Sequence, residues 1–322
     1  MVRSNAGRPA ADSRASGRRD GERLLGAHVS ARGGLPAALQ RAGALGCNCM
    51  QIFASNPRSW NGPAPTPGEG LAYRRGVARS GVRAAVVHAI YLVNLASPKA
   101  EVVARSRRSV IRDLRAAAVM DARGLVLHPG SDLGEGGGED RLIRHLAAVL
   151  RAVPAGPRVL LEGMAGTRHS LGDFATLGRV GARLGRRVGY CLDTAHLCAS
   201  GYDLAGNFTA LVRDLNRHLD VSRVGCLHVN DSRHPVGSRR DQHANLLEGV
   251  IGRRGFVRML AHPPFRHLPA ILETPGFDRA GPDRLNLRRL RALAREADGA
   301  PSPGRRDASA RASGREETRR GR

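Results

Sequence analysis

Short apolar runs recur along the chain, and most are followed by a segment whose apolar residues are spaced three and four apart. The first pattern is typical of buried strands and the second of helices that pack one face on a sheet. The apolar runs begin at Leu24, Cys47, Ala84, Gly124, Arg158, Val188, Arg223 and Leu268. Eight strands that alternate with helices over about 270 residues are the pattern of a (β/α)8 barrel.

Helical periodicity is clearest in six of the intervening segments. These segments are Pro36 to Leu45, Ala100 to Met120, Leu142 to Val153, Asp173 to Leu184, Phe208 to Leu219 and Leu285 to Ala294. A doubly wound open sheet is the competing α/β architecture, but it does not need eight such units. No GxGxxG motif opens a helix after the first strand either. The sequence therefore predicts the α/β class and a (β/α)8 TIM barrel.

Both ends of the chain lack apolar periodicity. Residues 1–22 and 298–322 are rich in Arg, Gly, Ser and Ala, so we expect two disordered basic arms around a folded domain of residues 23–297. No apolar stretch approaches the roughly 20 residues that span a membrane, and the N-terminus has no hydrophobic segment typical of a secretory signal. We therefore expect a cytoplasmic protein without a membrane partner.

The chain has a formal net charge of +24 and a pI of about 11.5. Such a positive field attracts polyanions, of which nucleic acid is the commonest. The basic residues are almost all arginines, however, with Lys99 as the one lysine, and Ala and Gly are abundant throughout. Because this pattern also follows from a biased composition, charge alone is weak support for nucleic acid binding.

Polar side chains end six of the eight predicted strands, and the C-terminal strand ends are where a barrel builds its active site. A single histidine there is usually structural, but a joint set predicts a metal centre. Imidazoles and carboxylates without thiolates suit Zn²⁺, Mn²⁺ or Fe²⁺, and nine of them exceed the needs of one ion. The set consists of His88, His128, Glu162, Asp193, His196, His228 and Glu273, with Asp241 and His243 in the loop after the seventh strand.

Longer motifs carry a resemblance to a known family. GAHVSARGGLPAAL, FASNPRSW, HAIYLVNLASP, LVLHPGS, CLDTAHLCASGYD, DSRHPVGSRRDQHANLLEGVIG and ILETPG occur in this order. Together they resemble endonuclease IV, the family of zinc-dependent apurinic/apyrimidinic (AP) endonucleases of DNA base excision repair. The resemblance implies three Zn²⁺ ions per chain, with Mn²⁺ as a possible substitute. It assigns one ion to His88, His128 and Glu162, a second to Glu162, Asp193, His228 and Glu273, and a third to His196, Asp241 and His243.

The resemblance also implies an activity. Its substrate is double-stranded DNA with an abasic site, cleaved 5′ to the lesion to leave a 3′-hydroxyl, and 3′-blocking groups are removed as well. Glu162 would orient the attacking hydroxide, and Glu273 would help to position it or take its proton. The family expectation is a monomer.

Lesion recognition would depend on a few side chains outside the metal site. By similarity, Arg58, Tyr91 and Leu92 would enter the duplex at the lesion. Tyr91 and Leu92 could instead belong to the core, and Arg58 could be one more solvated arginine. Four further residues could support the ligands, contact phosphate or be purely structural: His28, Asn230, Asp231 and Arg239.

Two other functions are compatible with parts of this pattern. A metal-dependent sugar isomerase or epimerase also carries carboxylates and histidines at barrel strand ends, but it needs fewer metals and no basic surface. A noncatalytic DNA-damage-binding protein would have an incomplete ligand set, whereas all nine ligand positions are filled here.

Overall fold

The computed structural model describes residues 22–62, 65–166 and 168–299. The two predicted arms fall outside these ranges except for Glu22, Asp298 and Gly299, so their disorder and the boundaries of the folded domain stay predictions. Within the described part of the chain, no helix is both long and apolar enough to cross a membrane.

Eight parallel strands close into a barrel, which confirms the predicted fold. Their order around the barrel is β1, β10, β7, β6, β5, β4, β3 and β2, and β8 and β9 form a separate antiparallel pair. The strands are β1 (Leu25–His28), β2 (Cys49–Phe53), β3 (Ala84–His88), β4 (Gly124–Leu127), β5 (Arg158–Glu162), β6 (Val188–Asp193), β7 (Val224–His228), β8 (Asp231–Ser232), β9 (His243–Ala244) and β10 (Ala270–Leu272).

Helices surround the barrel, and all six predicted helices are present with their ends displaced by a few residues. The helices of the described residues are α1 (Gly34–Leu45), α2 (Pro67–Ser80), α3 (Ala100–Val119), α4 (Gly138–Ala152), α5 (Phe174–Leu184), α6 (Thr194–Ser200), α7 (Phe208–His218), α8 (Gly252–Ala261) and α9 (Arg284–Ala297). The periodicity did not predict α2, α6 or α8, because α6 has only 7 residues and because glycine and arginine interrupt the apolar spacing of α2 and α8.

A start signal for α2 is nevertheless present in the sequence. Thr66 accepts a hydrogen bond from the Glu69 amide, the Glu69 carboxylate accepts one from the Thr66 amide, and Pro67 occupies the first turn. This capping box satisfies two amides that a helix start leaves free. Only Gly70 and Tyr73 of α2 are buried, so local capping rather than an apolar stripe marks this helix.

The core has two layers. A large cluster fills the space between the sheet and the helices, and a smaller one fills the barrel interior. The interior cluster contains Cys49, Cys191 and Cys226 among aliphatic side chains, and all five cysteines of the chain are buried and free. The lower half of the barrel is therefore apolar, and polar side chains are concentrated towards its C-terminal mouth.

The two ends of the folded domain meet at the face of the barrel opposite its C-terminal mouth. Arg23 precedes β1, and its guanidinium donates to the Asp298 carboxylate over 2.7 to 3.1 Å just beyond α9. Both terminal segments of the chain therefore begin at the amino-terminal end of the barrel, away from the mouth.

Close strand packing gives a test of the barrel. A Cβ at Gly26 would overlap the backbone of its β2 partner Cys49. We expect Gly26→Ala to lower the free energy of unfolding by at least about 3 kcal/mol, the upper range for overpacking, because backbone rather than a side chain must move. Gly68→Ala, on an exposed position of α2 with open space around it, is the matched control and should change stability by less than about 1 kcal/mol. Equal effects in urea denaturation would contradict this account.

Candidate metal centre

All nine predicted ligand residues lie at the C-terminal mouth of the barrel. Four of them are the last residues of their strands, and two more follow their strands directly. Because neighbouring strands are parallel and in register, their ends meet at one level; Asp193 and His228, for example, are paired across β6 and β7. The strand-end residues are His88, Glu162, Asp193 and His228, followed by His128 after β4 and Glu273 after β10.

The Glu162 carboxylate lies at the centre of the cluster and is almost completely buried. Its Oε2 lies 3.3 Å from Nε2 of His88 and 3.1 Å from Nε2 of His128. Its Oε1 lies 2.9 Å from Nδ1 of His228 and 3.4 Å from Nδ1 of His196. The two oxygens therefore face two different groups of imidazoles, as a carboxylate shared between two metal ions would.

Potential ligand atoms converge within 4.8 Å in four groups of the described residues. One joins Cys191 and Cys226 to His228, and the other three, made of imidazoles and carboxylates alone, lie at the mouth. The first group is His88, His128 and Glu162, and the second is Glu162, Asp193, His228 and Glu273, both as predicted. The third group joins His196 and His243 to Asp193. Asp241 lies beside this third group, with its oxygens 3.2 Å from Nε2 of His196 and 3.4 Å from Nε2 of His243.

The electrostatics of the cluster favour added positive charge. Burial lowers the pKa of His228, but the carboxylates of Glu273 and Glu162 outweigh it and raise that pKa well above the ordinary value. Burial raises the pKa of Glu162, yet His228 and His128 hold it well below its usual range. The packed carboxylates thus stabilise cationic neighbours.

The donor set fits divalent metal ions. Only imidazole nitrogens and carboxylate oxygens converge in the three groups, and such ligands suit Zn²⁺ or Mn²⁺. Among the described residues, no hydrogen-bond partner is present for the buried Nε2 of His243, although a buried ring nitrogen is normally satisfied. A metal ion in the third group would satisfy this atom.

Gln51 supports the ligands and was not found from the sequence. Its Oε1 accepts a hydrogen bond from Nε2 of His228 over 2.9 Å, and its amide donates to Oε1 of Glu273 over 2.6 Å. The first contact places the ring proton on Nε2 and leaves Nδ1 of His228 free to face the centre. A glutamine in the middle of the apolar strand CMQIF was the available signal.

Two of the residues left open by the sequence have similar contacts. His28 lies 2.9 Å from Oε1 of Glu273 through its Nδ1. Asn230 donates to Oδ2 of Asp193 over 2.7 Å and accepts from the Glu273 amide over 2.7 Å. Both therefore orient carboxylates of the cluster. Arg239, in contrast, is exposed, and its amide donates to the Ala199 carbonyl.

The three predicted recognition residues lie on exposed loops. The residue Tyr91 is 61% exposed and Leu92 is 39% exposed, so the alternative that they belong to the core is wrong. The Tyr91 ring contacts Phe53 edge-on, with centroids 5.0 Å apart, and lies 6.2 Å from the ring of His88. Arg58 is exposed in the loop after β2. Tyr91 and Leu92 therefore stand beside the ligands rather than beneath them.

Comparison with known proteins identifies the family. The sequence model of the xylose isomerase-like TIM barrel family matches residues 39–296. A probable endonuclease 4 of Halorhodospira halophila is 40% identical over 270 residues, which cover 80% of this chain and 89% of the relative. The chain belongs to the endonuclease IV family. The predicted resemblance is thereby confirmed.

Solved structures agree with this membership. The crystal structure of endonuclease IV from Thermus thermophilus superimposes with a TM-score of 0.76 at 36% identity and covers 85% of this chain and 99% of that one. A D-tagatose 3-epimerase-like protein superimposes with a TM-score of 0.63 at 17% identity, covering 86% of this chain and 98% of that one. At that identity the likeness shows the shared barrel alone.

The contacts of Gln51 predict an effect on metal affinity. We expect Gln51→Met, which keeps the length but removes both hydrogen bonds, to weaken the binding of a divalent metal ion about 10- to 100-fold, the usual effect of removing a residue that orients a ligand. Competition with a chromogenic chelator measures this affinity. Gln40→Met, on an exposed position of α1, is the control and should have the metal affinity of the wild type. Unchanged affinity in Gln51→Met would contradict the assigned role.

Proposed function

We propose that this protein is a DNA-repair hydrolase that cleaves the phosphodiester 5′ to abasic sites in double-stranded DNA and leaves a 3′-hydroxyl. We propose further that it removes 3′-blocking groups. The observation that carries the proposal is the convergence of the nine ligand residues at one barrel mouth, with Glu162 between two groups of imidazoles. The names of the endonuclease 4 relatives support the same activity.

Three zinc ions per chain fit the ligand groups, with Mn²⁺ as a possible substitute. His88, His128 and Glu162 would hold one ion, and Glu162, Asp193, His228 and Glu273 a second. The third would be held by His196, Asp241 and His243, with Asp193 close enough to contribute. Such ions supply Lewis acidity, which brings the pKa of water to about 7 and offsets the charge of a phosphodiester.

Glu162 and Glu273 are the proposed catalytic residues. Glu273 is fixed at Oε1 by Gln51 and His28, which leaves Oε2 facing the centre, 3.3 Å from Nδ1 of His228. From this position it would orient the attacking water and accept its proton. Glu162, whose two oxygens face two groups of imidazoles, would help to orient the same water. The fixed carboxylates lower the entropic cost of aligning water with phosphorus.

Exposed apolar side chains around the mouth support recognition of distorted DNA. Six of the seven large exposed apolar residues of the described chain lie in loops that follow barrel strands: Tyr91, Leu92, Leu133, Val236, Val250 and Phe277. Side chains of this kind can fill the gap in a duplex that lacks a base. Unstacking costs least where the base is already lost, which gives a physical basis for selecting abasic sites.

The metal mechanism predicts loss of cleavage without loss of binding. We expect Glu162→Ala and Glu273→Ala to abolish cleavage of an abasic duplex, whereas DNA binding should stay largely intact because phosphate contacts are made elsewhere. The wild type should contain about three zinc ions per chain by elemental analysis, and exhaustive chelation should remove its activity. Wild-type turnover in either variant, or full activity after chelation, would refute the mechanism.

Metal content and activity on DNA also distinguish the proposed function from the two other functions considered for the sequence. Binding of abasic DNA without cleavage by the metal-loaded wild type would favour a noncatalytic damage-binding protein. One or two metals per chain, no activity on DNA and turnover of a ketose or aldose would favour an isomerase or epimerase.

A second prediction separates recognition from chemistry. Changing Arg58, Tyr91 and Leu92 together to Ala should leave zinc content and hydrolysis of a small phosphodiester nearly unchanged. Cleavage of an abasic duplex should fall by about 100-fold or more, since unstacking costs a few kcal/mol and each 1.36 kcal/mol is about tenfold in rate. Single-stranded abasic DNA should show a smaller loss. Equal losses on all three substrates would mean that these residues shape the metal pocket instead.

A further inference from the structure

Asp231 is a buried carboxylate whose hydrogen bonds, among the residues that the structure describes, all come from backbone amides of its own loop. Its Oδ1 accepts hydrogen bonds from the amides of Ser232 (2.9 Å) and Ile251 (3.0 Å). Its Oδ2 accepts from the amides of Leu247 (2.9 Å) and Gly249 (3.1 Å). The residue has no measurable exposure, and no arginine, lysine or histidine within the described residues forms an ion pair with it. Four amide dipoles therefore replace the water that this charge has lost.

These four amides span almost the whole loop between β7 and α8. Residues 229–251 contain the β8–β9 pair, in which Asp231 faces Ala244 and Ser232 faces His243. Near the end of the loop, the backbone of Leu247 is in the left-handed region (φ 67°). A Cβ at Gly249 would overlap both the Ser232 carbonyl and the Asp231 carboxylate. The carboxylate and the closing turn thus fit together without spare space.

The same loop delivers two members of the third ligand group. Asp241 and His243 lie between the two parts of the loop that Asp231 ties together. Their side chains are 41% and 20% exposed, compared with 27% for His128 and 17% for Glu273 in the first two groups. Their place in a long loop, rather than their exposure, therefore distinguishes them from ligands that end a strand or directly follow one. The first two groups rest on the barrel itself, but the third depends on a loop.

We propose that Asp231 is the positioning residue that folds residues 229–251 and thereby assembles the third metal site. When the loop becomes less ordered, the metal ion of this third site is the first to be lost. The presence of a metal ion in this site rests on the proposed function, whereas the role of Asp231 in folding the loop does not. Asp231 touches neither metal nor substrate in this proposal, and it acts through the backbone that holds Asp241 and His243.

Asp231→Asn tests the proposal with a minimal change of shape. An amide keeps one acceptor oxygen and places an NH2 group against amides that also donate, so two of the four hydrogen bonds are lost in either orientation. We expect hydrogen exchange at Leu247, Gly249 and Ile251 to become at least tenfold faster. Zinc content should fall from about three to about two per chain, and kcat should fall more than KM rises. Glu248→Gln, in the same loop but facing Arg289 at the surface, is the matched control and should behave as the wild type does.

Gly249→Ala provides a second route to the same loop, should Asp231→Asn fold poorly. The added Cβ would overlap the Asp231 carboxylate and displace it. Amide hydrogen exchange and zinc content should therefore change in the same direction as in Asp231→Asn. Three zinc ions and unchanged amide exchange in Asp231→Asn would overturn the proposal. Equal loss of all three ions would also overturn it, because the role would then be support of the whole mouth. If the wild type itself holds fewer than three ions, the proposed metal assignment fails, and amide exchange alone decides the role of Asp231.

Discussion

The architecture of the mouth depends on one buried carboxylate. Glu162 is withdrawn from water, and a charge in that position is very costly unless partners surround it. Its partners are four imidazoles. Those of His88, His128 and His228 lie at the ends of three different strands, and that of His196 lies in α6, the helix that follows β6. No single segment of the chain can provide them. The barrel has to close in its correct register before this carboxylate can be satisfied.

This requirement explains how polar and apolar layers share the barrel interior. The layer at the mouth holds carboxylates, imidazoles, Gln51 and Asn230, each of which satisfies another polar group. Directly beneath it lie Cys191 and Cys226, paired across β6 and β7, in an aliphatic cluster without charged members. The apolar layer stabilises the closed sheet by burying apolar surface. The mouth can therefore hold polar side chains that contribute little to this burial. Pairing lowers the cost of burying the polar network, in which Nε2 of His28 and Nε2 of His243 are exceptions without a partner among the described residues.

The eight barrel strands were predicted from the sequence and are confirmed, and the nine candidate ligands predicted from it lie together at the mouth, because both sets follow local sequence patterns. A buried parallel strand is a continuous apolar run, and a ligand at its end interrupts that run with a polar residue. Helices α2 and α8 escaped prediction because glycine and arginine blur their apolar spacing. The role of Gln51 was not predicted from the sequence for a different reason. Its partners, His228 and Glu273, are about 180 and 220 residues away, and only the register of the closed barrel brings them together.

Under the proposed function, attraction to DNA and selection of a lesion would depend on different parts of the molecule, as the distribution of charge indicates. Residues 1–21 hold five arginines and two aspartates, and residues 300–322 hold seven arginines and three acidic residues, so most of the net charge of +24 belongs to the folded barrel. Both terminal segments also start at the face opposite the metal centre, at the Arg23–Asp298 ion pair. The positive field is therefore general, and a general field draws every DNA segment equally. Selection has to come from groups whose contacts require a gap in the base stack. Under the proposed function, the uncharged and exposed Tyr91 and Leu92 would be such groups at the mouth. The Tyr91 ring lies 6.2 Å from the ring of the candidate ligand His88, which would bring detection of the gap close to the place of cleavage.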